Sequence, residues 1–325
     1  MSKVSVVIPI YNRADLILET LLSVENQTYV PFEVIIVDDG STDNSLEVIR
    51  AWREKSKLNS HIFSNQNTKG PSGALNFGIA KASGEYIAMQ DSDDLWTSCH
   101  LQQLVGALAD FPQYDIAFSK IQVFGTAKDV LEKNDAFLNS VAGCLKIAFE
   151  KKTTLLWASS PKLFYTLLQG GVPFRCQASL IRRSFFDKTN IGFDEEITYC
   201  QDAQFMTQAA YNTGYIYIDN TGLCLRRHAE NDGDLCYGDK IWKSYEKRAE
   251  KLKQYFSNKP LNKLEKSALA YRLVQLQTHV FIAKIKKFGF RSLLKECFNL
   301  LKAVPSFSTI VLIIKIVIKY FFRIL

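Results

Sequence analysis

The stretch Glu85-Tyr86-Ile87-Ala88-Met89-Gln90-Asp91-Ser92-Asp93-Asp94 passes from an apolar run directly into three carboxylates within four positions. The apolar half, which follows Gly84, predicts a short buried strand. Acids at the carboxyl end of a strand lie where open α/β sheets hold their ligands. Three close carboxylates repel one another unless a cation lies among them, and Mg²⁺ takes such oxygens together with phosphates. The alternative is an acidic turn that caps a helix starting near Leu95, because Asp is a good N-cap residue.

The residues before this stretch alternate between buried strands and amphipathic helices. Val4–Ile10 and Phe32–Val37 have the apolar character of strands, a helical pattern of leucines separates them, and His61–Phe63 predicts a third strand. The second strand also ends in acids, Asp38 and Asp39. This strand–helix–strand order predicts a parallel sheet with right-handed crossovers.

A polar loop with glycines, Asn67–Gly73, precedes a predicted helix over Ala74–Ala82 and contains Lys69. The start of a helix attracts anions because its backbone N–H groups point outward. Together with two strands that end in acids, this loop suits a phosphorylated ligand held along one edge of the sheet. Turn chemistry could account for each feature alone, but it would then require several coincidences.

In this order, the motifs resemble the donor-binding half of family 2 glycosyltransferases, which bind nucleotide sugars with the GT-A fold. The resemblance extends from Ser5 to Asp94. It implies an α/β protein with a Rossmann-like mixed sheet, followed in this chain by a C-terminal helical extension. The matching pieces are Val6–Asn12, Gln27–Tyr29, Glu33–Asp43, Ala74–Gly78 and Gly84–Asp94.

The resemblance also implies roles for single residues. It places Pro9, Tyr11 and Asp39 around the nucleobase, Asp91 near the ribose or the metal, and Asp93 on a Mg²⁺ or Mn²⁺ ion that bridges the diphosphate. Leu75, where many members have Arg, and Ser98, where Pro is common, depart from the family pattern. The predicted donor-binding residues are Pro9, Tyr11, Asn12, Asp38, Asp39, Ser41, Lys69, Asn76, Asp91 and Arg227.

Further residues of the family pattern follow in the second half of the chain. Gly192-Phe193-Asp194-Glu195 has a counterpart in the family, and Asp202 stands where the family has its catalytic base. A glutamate usually precedes that base, whereas Gln201 does so here, and Gln208 stands where a helix Arg is common. Taken alone, Asp202 could simply be a favourable charge at a helix N-terminus.

Arg227 and His228 end the recognisable pattern. The family often has an Arg or aromatic residue near a His at this position, which predicts a phosphate clamp at Arg227 and a metal contact at His228. A solvated histidine in a basic loop is the simpler alternative. The predicted metal ligands are Asp93, Asp91 and His228.

Charge separates the two ends of the chain. The net charge of +7 combines about −7 for residues 1–235 with +14 for Cys236–Leu325, which has 19 Lys and Arg against 5 Asp and Glu. The seven cysteines form no Cys-x-x-Cys pair, and no signal peptide is recognisable, so we expect a protein of the reducing cytosol.

The last residues combine an aliphatic run with Lys315, Lys319 and Arg323 at every fourth position. On a helix these cations line one side, which favours an in-plane anchor on an anionic membrane surface over a membrane-spanning segment with Lys315 near its centre. A terminal helix packed on the protein itself is another possibility. We see no nucleic-acid-binding motif and expect no nucleic-acid partner.

We therefore expect an inverting, metal-dependent glycosyltransferase of the hexosyltransferase type. It would move a sugar from a nucleotide-sugar donor, most simply a UDP-sugar, to a glycan or lipid-linked acceptor at the inner face of the cell membrane, in polysaccharide assembly of a bacterial envelope. The alternatives are a non-catalytic nucleotide-sugar-binding protein and a nucleotidyltransferase. The expected segments are a GT-A domain (1–235, with a donor half 1–100 and an acceptor half 101–235), a basic helical extension (236–303) and a membrane-associating tail (304–325).

Overall fold

The computed structural model describes residues 2–126, 130–227 and 239–288, which alternate between strands and helices. The strands are β1 Val4–Ile10, β2 Glu33–Asp38, β3 Ser60–Ser64, β4 Tyr86–Met89, β5 Leu95–Trp96, β6 Ile116–Gly125, β7 Phe149–Lys151, β8 Leu156–Ser159, β9 Ser179–Arg182 and β10 Tyr215–Arg227. The helices are α1 Ile17–Glu25, α2 Ser45–Arg53, α3 Pro71–Lys81, α4 His100–Asp110, α5 Val130–Ala148, α6 Leu163–Gly170, α7 Arg183–Thr189, α8 Gln201–Asn212, α9 Asp239–Phe256 and α10 Lys263–Phe288.

The strands form one mixed sheet in the order β3-β2-β1-β4-β9-β6-β10-β8-β7, and β5 pairs with β10. β1 is parallel to β2 and β4, and β2 is parallel to β3. β9 reverses the direction, since it runs antiparallel to both β4 and β6. The parallel arrangement predicted for the first strands is therefore confirmed, within a Rossmann-like mixed sheet.

β1 lies between the two strands that end in acids. Ile10 at its carboxyl end is in register with Asp38 of β2 and accepts a hydrogen bond from the Asp39 backbone N–H at 2.9 Å. On the other side, the Gln90 N–H donates to the Val7 carbonyl at 3.0 Å, directly before Asp91. Both acidic strand ends thus reach the same edge of the sheet, as the sequence predicts.

The helix α3 packs closely on the face of β1 and β2. A β-carbon at Gly78 would lie 2.4 Å from Val7 Cγ1 and 3.1 Å from Val37 Cγ2, so only glycine fits there. The helix begins at Pro71, three residues before the predicted start at Ala74. Proline suits the first turn of a helix because its missing N–H would have no intrahelical partner there.

The alternative interpretation of the acids, a cap on a helix that starts near Leu95, is wrong. Leu95–Trp96 is a short strand that pairs antiparallel with Leu223 and Cys224 of β10, and α4 begins only at His100. Trp96 is buried and its indole Nε1–H donates to the Gln177 carbonyl at 2.9 Å. These tertiary contacts fix an extended conformation that the local sequence does not indicate.

Residues 125–170, in which no motif is recognisable, include the outer part of the sheet. Within it, β8 joins the sheet against β10, and β7 pairs with β8. The helices α5 and α6 have several buried residues each, among them Val141 and Leu167. This segment therefore adds core and an extra strand pair to the sheet.

The chain divides into two compact units. The first comprises residues 1–195 and 201–231 and contains the sheet, and the second comprises residues 196–200 and 232–325 and contains α9 and α10. The tail predicted to associate with membranes, 304–325, lies outside the described residues. Among the helices of residues 2–126, 130–227 and 239–288, none has the length and apolar character that a membrane span requires.

His100, the first residue of α4, is fully buried and predicts a pH-dependent stability. Its ring lies 4.5 Å from that of Trp96, its Nδ1 is 3.1 Å from Ser119 Oγ, and its Nε2 has no hydrogen-bond partner among the described residues. Burial lowers the pKa of His100 to about 3, whereas an unfolded histidine has a pKa of about 6.5. The unfolded chain therefore binds a proton that the folded protein excludes.

We expect the free energy of unfolding to fall below pH 6.5 and to lose about 2 kcal/mol between pH 7 and pH 5 from this residue. Chemical denaturation at the two pH values measures the loss, and His100→Gln removes the titrating group. The prediction is that the variant loses about 2 kcal/mol less than the wild type over this interval. An equal loss in both proteins would assign the acid sensitivity to other groups.

Candidate active site

The three carboxylates after β4 converge. Asp91, Asp93 and Asp94 each offer an oxygen, and these oxygens lie within 4.8 Å of one another. The turn that carries them is fixed from inside, because the fully buried Gln90 donates its Nε2–H to the Asp94 carbonyl at 2.8 Å. We call these three residues the acid cluster.

Each member of the acid cluster also contacts a group from elsewhere in the chain. Asp94 is buried and accepts the Arg226 backbone N–H at 2.8 Å. Asp93 lies 3.5 Å from Arg13 Nε, and Asp91 accepts a hydrogen bond from the Gln177 amide. The cluster is therefore assembled from the loops after β1 and β4, the residues before β9 and the end of β10.

The electrostatics of the acid cluster favour a bound cation. Burial and the charge of Asp93 raise the pKa of Asp91 to about 7. Burial and the charges of Asp93 and Asp91 likewise raise the pKa of Asp94 well above its usual value. A divalent cation would remove the repulsion, and three hard carboxylate oxygens at this spacing fit Mg²⁺ or Mn²⁺.

Asp39, predicted to contact the nucleobase, lies at the end of β2 beside the loop that contains Lys69. Its Oδ1 accepts from Asn65 Nδ2 at 2.6 Å and its Oδ2 from the Gly70 N–H at 2.7 Å. The Lys69 amine lies beside Gly40, 3.4 Å from where a β-carbon would be. A carboxylate and an ammonium group thus flank the same strand end.

Tyr11 is 54% exposed at the end of β1. An exposed tyrosine next to the acidic end of the sheet provides a flat surface on which a nucleobase can stack. Pro9, two residues earlier, pairs with Val37 in the sheet and is partly exposed.

Three other predicted donor-binding residues also hold two loops together. The Asn12 N–H donates to Ser41 Oγ at 3.1 Å, and Asn12 Oδ1 accepts from the Thr42 N–H at 2.8 Å. The Ser41 N–H in turn donates to Asp38 Oδ1 at 3.0 Å. Asn12 has φ 51°, a left-handed conformation that asparagine tolerates. The loops after β1 and β2 are therefore locked to one another.

Asn76 has a similar structural role on α3. Its side chain exchanges hydrogen bonds with the Phe193 backbone, at 2.8 and 2.9 Å, and donates to Glu195 Oε1 at 3.0 Å. Glu195 also accepts from Asn67 Nδ2 and the Thr68 N–H, each at 3.1 Å. Burial opposes ionisation of Glu195, but these hydrogen bonds outweigh it and hold its pKa below the usual value. The Gly-Phe-Asp-Glu motif thus positions the loop that contains Lys69.

Asp202 lies in the first turn of α8, and its carboxylate is 13% exposed. Its Oδ2 lies 3.1 Å from the Arg175 Nη1 and its Oδ1 accepts the Ala203 N–H at 2.7 Å. Burial and the charge of Asp93 are the main causes that raise the pKa of Asp91. The hydrogen bond from Gln177 lowers this pKa, and the charge of Asp202 is a smaller cause that raises it. The candidate base and the acid cluster are therefore close enough to interact.

Arg227 is the last residue of β10. Its neighbour Arg226 contacts the acid cluster: the Arg226 Nε donates to the Asp93 carbonyl at 2.9 Å, and its Nη2 pairs with Glu19 at 2.5 Å. His228, predicted as a metal ligand, lies outside the described residues.

Four side chains at the site are not predicted from the sequence: Arg13, Arg175, Gln177 and Arg226. Arg13 and Arg226 each adjoin a predicted residue, which is the only local signal for them. Arg175 and Gln177 precede β9, and they reach the site only because β9 pairs with β4.

The mixed sheet, with its acid cluster at the end of β4, is that of the GT-A nucleotide-diphospho-sugar transferases. The sequence model of the family described as Glycosyl transferase family 2 matches residues 5–189, more than half of the chain. The chain belongs to this family.

Similar sequences and structures agree with this assignment. The chain is 42% identical over 92 residues to glycosyltransferase GlyG of Streptococcus pneumoniae (28% of this chain, 30% of that protein). It is 45% identical over 94 residues to the poly(ribitol-phosphate) beta-glucosyltransferase of Bacillus spizizenii (28% and 15%). The chain spans less than two thirds of the length of either relative.

Two solved structures share the fold at low sequence identity. S. aureus TarS 1-349 in complex with UDP-GlcNAc superimposes with a TM-score of 0.64 at 21% identity, over 92% of this chain and 79% of that one. The mannosyltransferase PcManGT of Pyrobaculum calidifontis, in complex with GDP-Man and Mn²⁺, gives a TM-score of 0.56 at 19% identity, over 97% and 79%. At these identities the likeness establishes the fold alone.

Proposed function

We propose that the protein transfers a sugar from a UDP-sugar to a hydroxyl of a glycan or lipid-linked acceptor, with inversion at the anomeric carbon. The observation that carries the proposal is the acid cluster beside Asp202, at the end of the sheet where Asp39 and Tyr11 also lie. Solved proteins of this fold bind UDP-GlcNAc and GDP-Man, which supports a nucleotide-sugar donor.

The donor would lie across the ends of β1, β2 and β4. Tyr11 and Pro9 would contact the nucleobase, Asp39 would accept one of its N–H groups, and Lys69 would lie toward the phosphates. Asp91 and Asp93 would hold Mg²⁺ or Mn²⁺, and His228 is a further proposed ligand. When bound, the ion supplies positive charge to the diphosphate as the sugar leaves. Arg227 would be an additional phosphate contact.

Asp202 would act as the catalytic base. In an inverting transfer the acceptor oxygen attacks the anomeric carbon while the bond to the diphosphate breaks on the opposite face. The hydroxyl proton passes to a carboxylate oxygen of Asp202, which must lie within hydrogen-bond reach of it. The Arg175 contact at 3.1 Å keeps this carboxylate oriented in the absence of the acceptor.

We propose that the product belongs to a bacterial envelope polysaccharide, which the similarity to a poly(ribitol-phosphate) beta-glucosyltransferase supports. The basic residues of 304–325 would hold the enzyme peripherally on the inner face of the cell membrane. Loss of binding to anionic vesicles after deletion of 304–325 would support this part, and unchanged binding would refute it. Residues 236–303 would connect the GT-A domain (1–235) to this tail.

Donor hydrolysis tests the proposed function most directly. The full chain is incubated with a panel of nucleotide sugars and Mn²⁺, and released nucleoside diphosphate is measured. We expect slow, metal-dependent release from one donor, a UDP-sugar. Calorimetric binding of a donor without release, also with candidate acceptors, would favour a non-catalytic nucleotide-sugar-binding protein. Absence of binding to every nucleotide sugar would refute both.

A further inference from the structure

The second unit contains one buried arginine and one partly buried arginine. Arg248 of α9 is only 2% exposed. Arg272 of α10 is partly buried, and burial together with the charge of Arg248 lowers its pKa to about 10. Two guanidinium groups in each other's field repel, and arginine is rarely buried in this way unless it is paired.

The surroundings of these arginines are aromatic and polar. The Tyr245 ring stacks on His279 at 4.8 Å, and the Arg248 guanidinium carbon lies 5.8 Å from the centre of the same tyrosine ring. His279 is exposed in part; partial burial and the charges of Arg272 and Arg248 lower its pKa, so the imidazole also lies in the field of both arginines. We call Tyr245, Arg248, Arg272 and His279 the arginine cluster.

Among the described residues, no carboxylate pairs with the arginine cluster. Arg248 Nε and Nη2 are buried and have no hydrogen-bond partner in the part of the chain that the structure describes, while Arg272 Nη1 donates to the neutral amide of Gln275 at 3.1 Å. Glu196 is engaged elsewhere in the unit, since it pairs with Lys247 and Lys251. Burying N–H donors of a cation without an acceptor is unfavourable, so an anionic ligand would stabilise this arrangement.

We propose that the arginine cluster binds a phosphate group. A phosphate has several acceptor oxygens that match the N–H fork of arginine, and a phosphate monoester, with a charge of about −1.5 to −2 at pH 7, balances two guanidinium groups, whereas one carboxylate balances only one. Tyr245, whose ring lies near the Arg248 guanidinium, and His279, which stacks on that ring, would lie beside it. The residues all belong to the second unit, whereas the acid cluster belongs to the first. The phosphate could belong to a water-soluble phosphate ester or to a lipid headgroup.

The first experiment compares thermal unfolding of the full chain in sodium phosphate and in sodium chloride of equal ionic strength. We expect the midpoint to rise with phosphate, beyond any effect of the chloride. Calorimetry with sn-glycerol 3-phosphate then gives a dissociation constant for a soluble phosphate ester. The proposal would be overturned if the unfolding midpoints are equal in the two salts and neither calorimetry nor vesicle binding depends on Arg248.

Variants of Arg248 assign the effect to the cluster. Arg248→Met removes an unpaired buried charge, so the variant should unfold at the same or a higher temperature in chloride and respond little to phosphate. Arg248→Lys keeps the charge without the fork and should bind phosphate about tenfold more weakly or worse. Lys253→Met, which removes an exposed charge from α9, is the matched control and should respond like the wild type.

Vesicles distinguish the two sources of phosphate. Phosphatidic acid vesicles, whose headgroup is a phosphate monoester, are compared with phosphatidylcholine vesicles for the wild type, Arg248→Met and Lys253→Met. Binding to other basic segments is common to all three proteins and cancels in the comparison. If Arg248→Met loses soluble phosphate binding and Lys253→Met does not, the result supports a soluble ester. If Arg248→Met loses vesicle binding and Lys253→Met does not, the result supports a lipid headgroup. Identical behaviour of Arg248→Met and Lys253→Met in every assay would refute the site.

Discussion

Asp93→Asn is expected to reduce sugar transfer by about a thousandfold, corresponding to the several kcal/mol that a metal ion contributes at a departing diphosphate. The substitution keeps the shape of the side chain and removes the charge that, on our proposal, holds the ion. Asp93 is suited to this role because its carboxylate is 16% exposed, next to Asp91 and Asp94. The measurement is kcat with donor and acceptor over a range of Mn²⁺ concentrations.

The stability of Asp93→Asn distinguishes lost metal binding from misfolding. The charge of Asp93 is a cause, second to burial, of the raised pKa values of Asp91 and Asp94, so neutralising it relieves repulsion. Without metal, the variant should therefore unfold at the same or a higher temperature than the wild type. Mn²⁺ should stabilise the wild type but not Asp93→Asn. The control Asp110→Asn, in which an exposed carboxylate at the end of α4 is removed, should be stabilised like the wild type. Undiminished transfer by Asp93→Asn would contradict the assignment.

The parallel strands were predictable because their signals are local. For β1, β2 and β4 the predicted run is as long as the strand it forms, and strand ends rich in acids mark the edge of the sheet to which ligands bind. Leu95–Trp96 illustrates the limit. Its extended conformation depends on a partner strand more than 120 residues away in sequence, so the local acids instead suggested a helix cap.

The residues of the candidate site likewise divide into those that a local motif indicates and those that depend on contacts distant in sequence. Asp39, Asp91, Asp93 and Asp202 can be recognised because their positions follow motifs, and the structure places the three carboxylates of the acid cluster together. Asn12, Ser41 and Asn76 belong to the same motifs, yet their polar groups hold loops in position. A motif therefore indicates which residues lie at the candidate site, but it does not show which of them also hold the surrounding loops in position. The partners Gln177 and Arg175 come from an antiparallel strand region whose pairing no local pattern indicates.

Asp202→Asn is expected to lower kcat for transfer by about 10²–10⁴-fold while donor affinity stays unchanged. An amide fits the same space at the start of α8 but cannot take the proton of the acceptor hydroxyl. Arg175, its ion-pair partner, is 45% exposed and stays solvated after the substitution, so the cost to stability should be small. Calorimetry with the donor and Mn²⁺ measures affinity, and a transfer assay at saturating donor measures kcat.

The matched control for this prediction is Asp219→Asn. Asp219 is a carboxylate of β10 that also pairs with a cation, Lys120 Nζ at 2.8 Å, but it lies outside the acid cluster. Loss of an ion pair by itself would affect both variants equally, whereas loss of the base affects only Asp202→Asn. Arg175→Gln is a second control, because it removes the ion pair and leaves the proposed base in place. If Asp202 is the base, Arg175→Gln should retain most of the activity that Asp202→Asn loses, and the reverse order would make Arg175 the more important group.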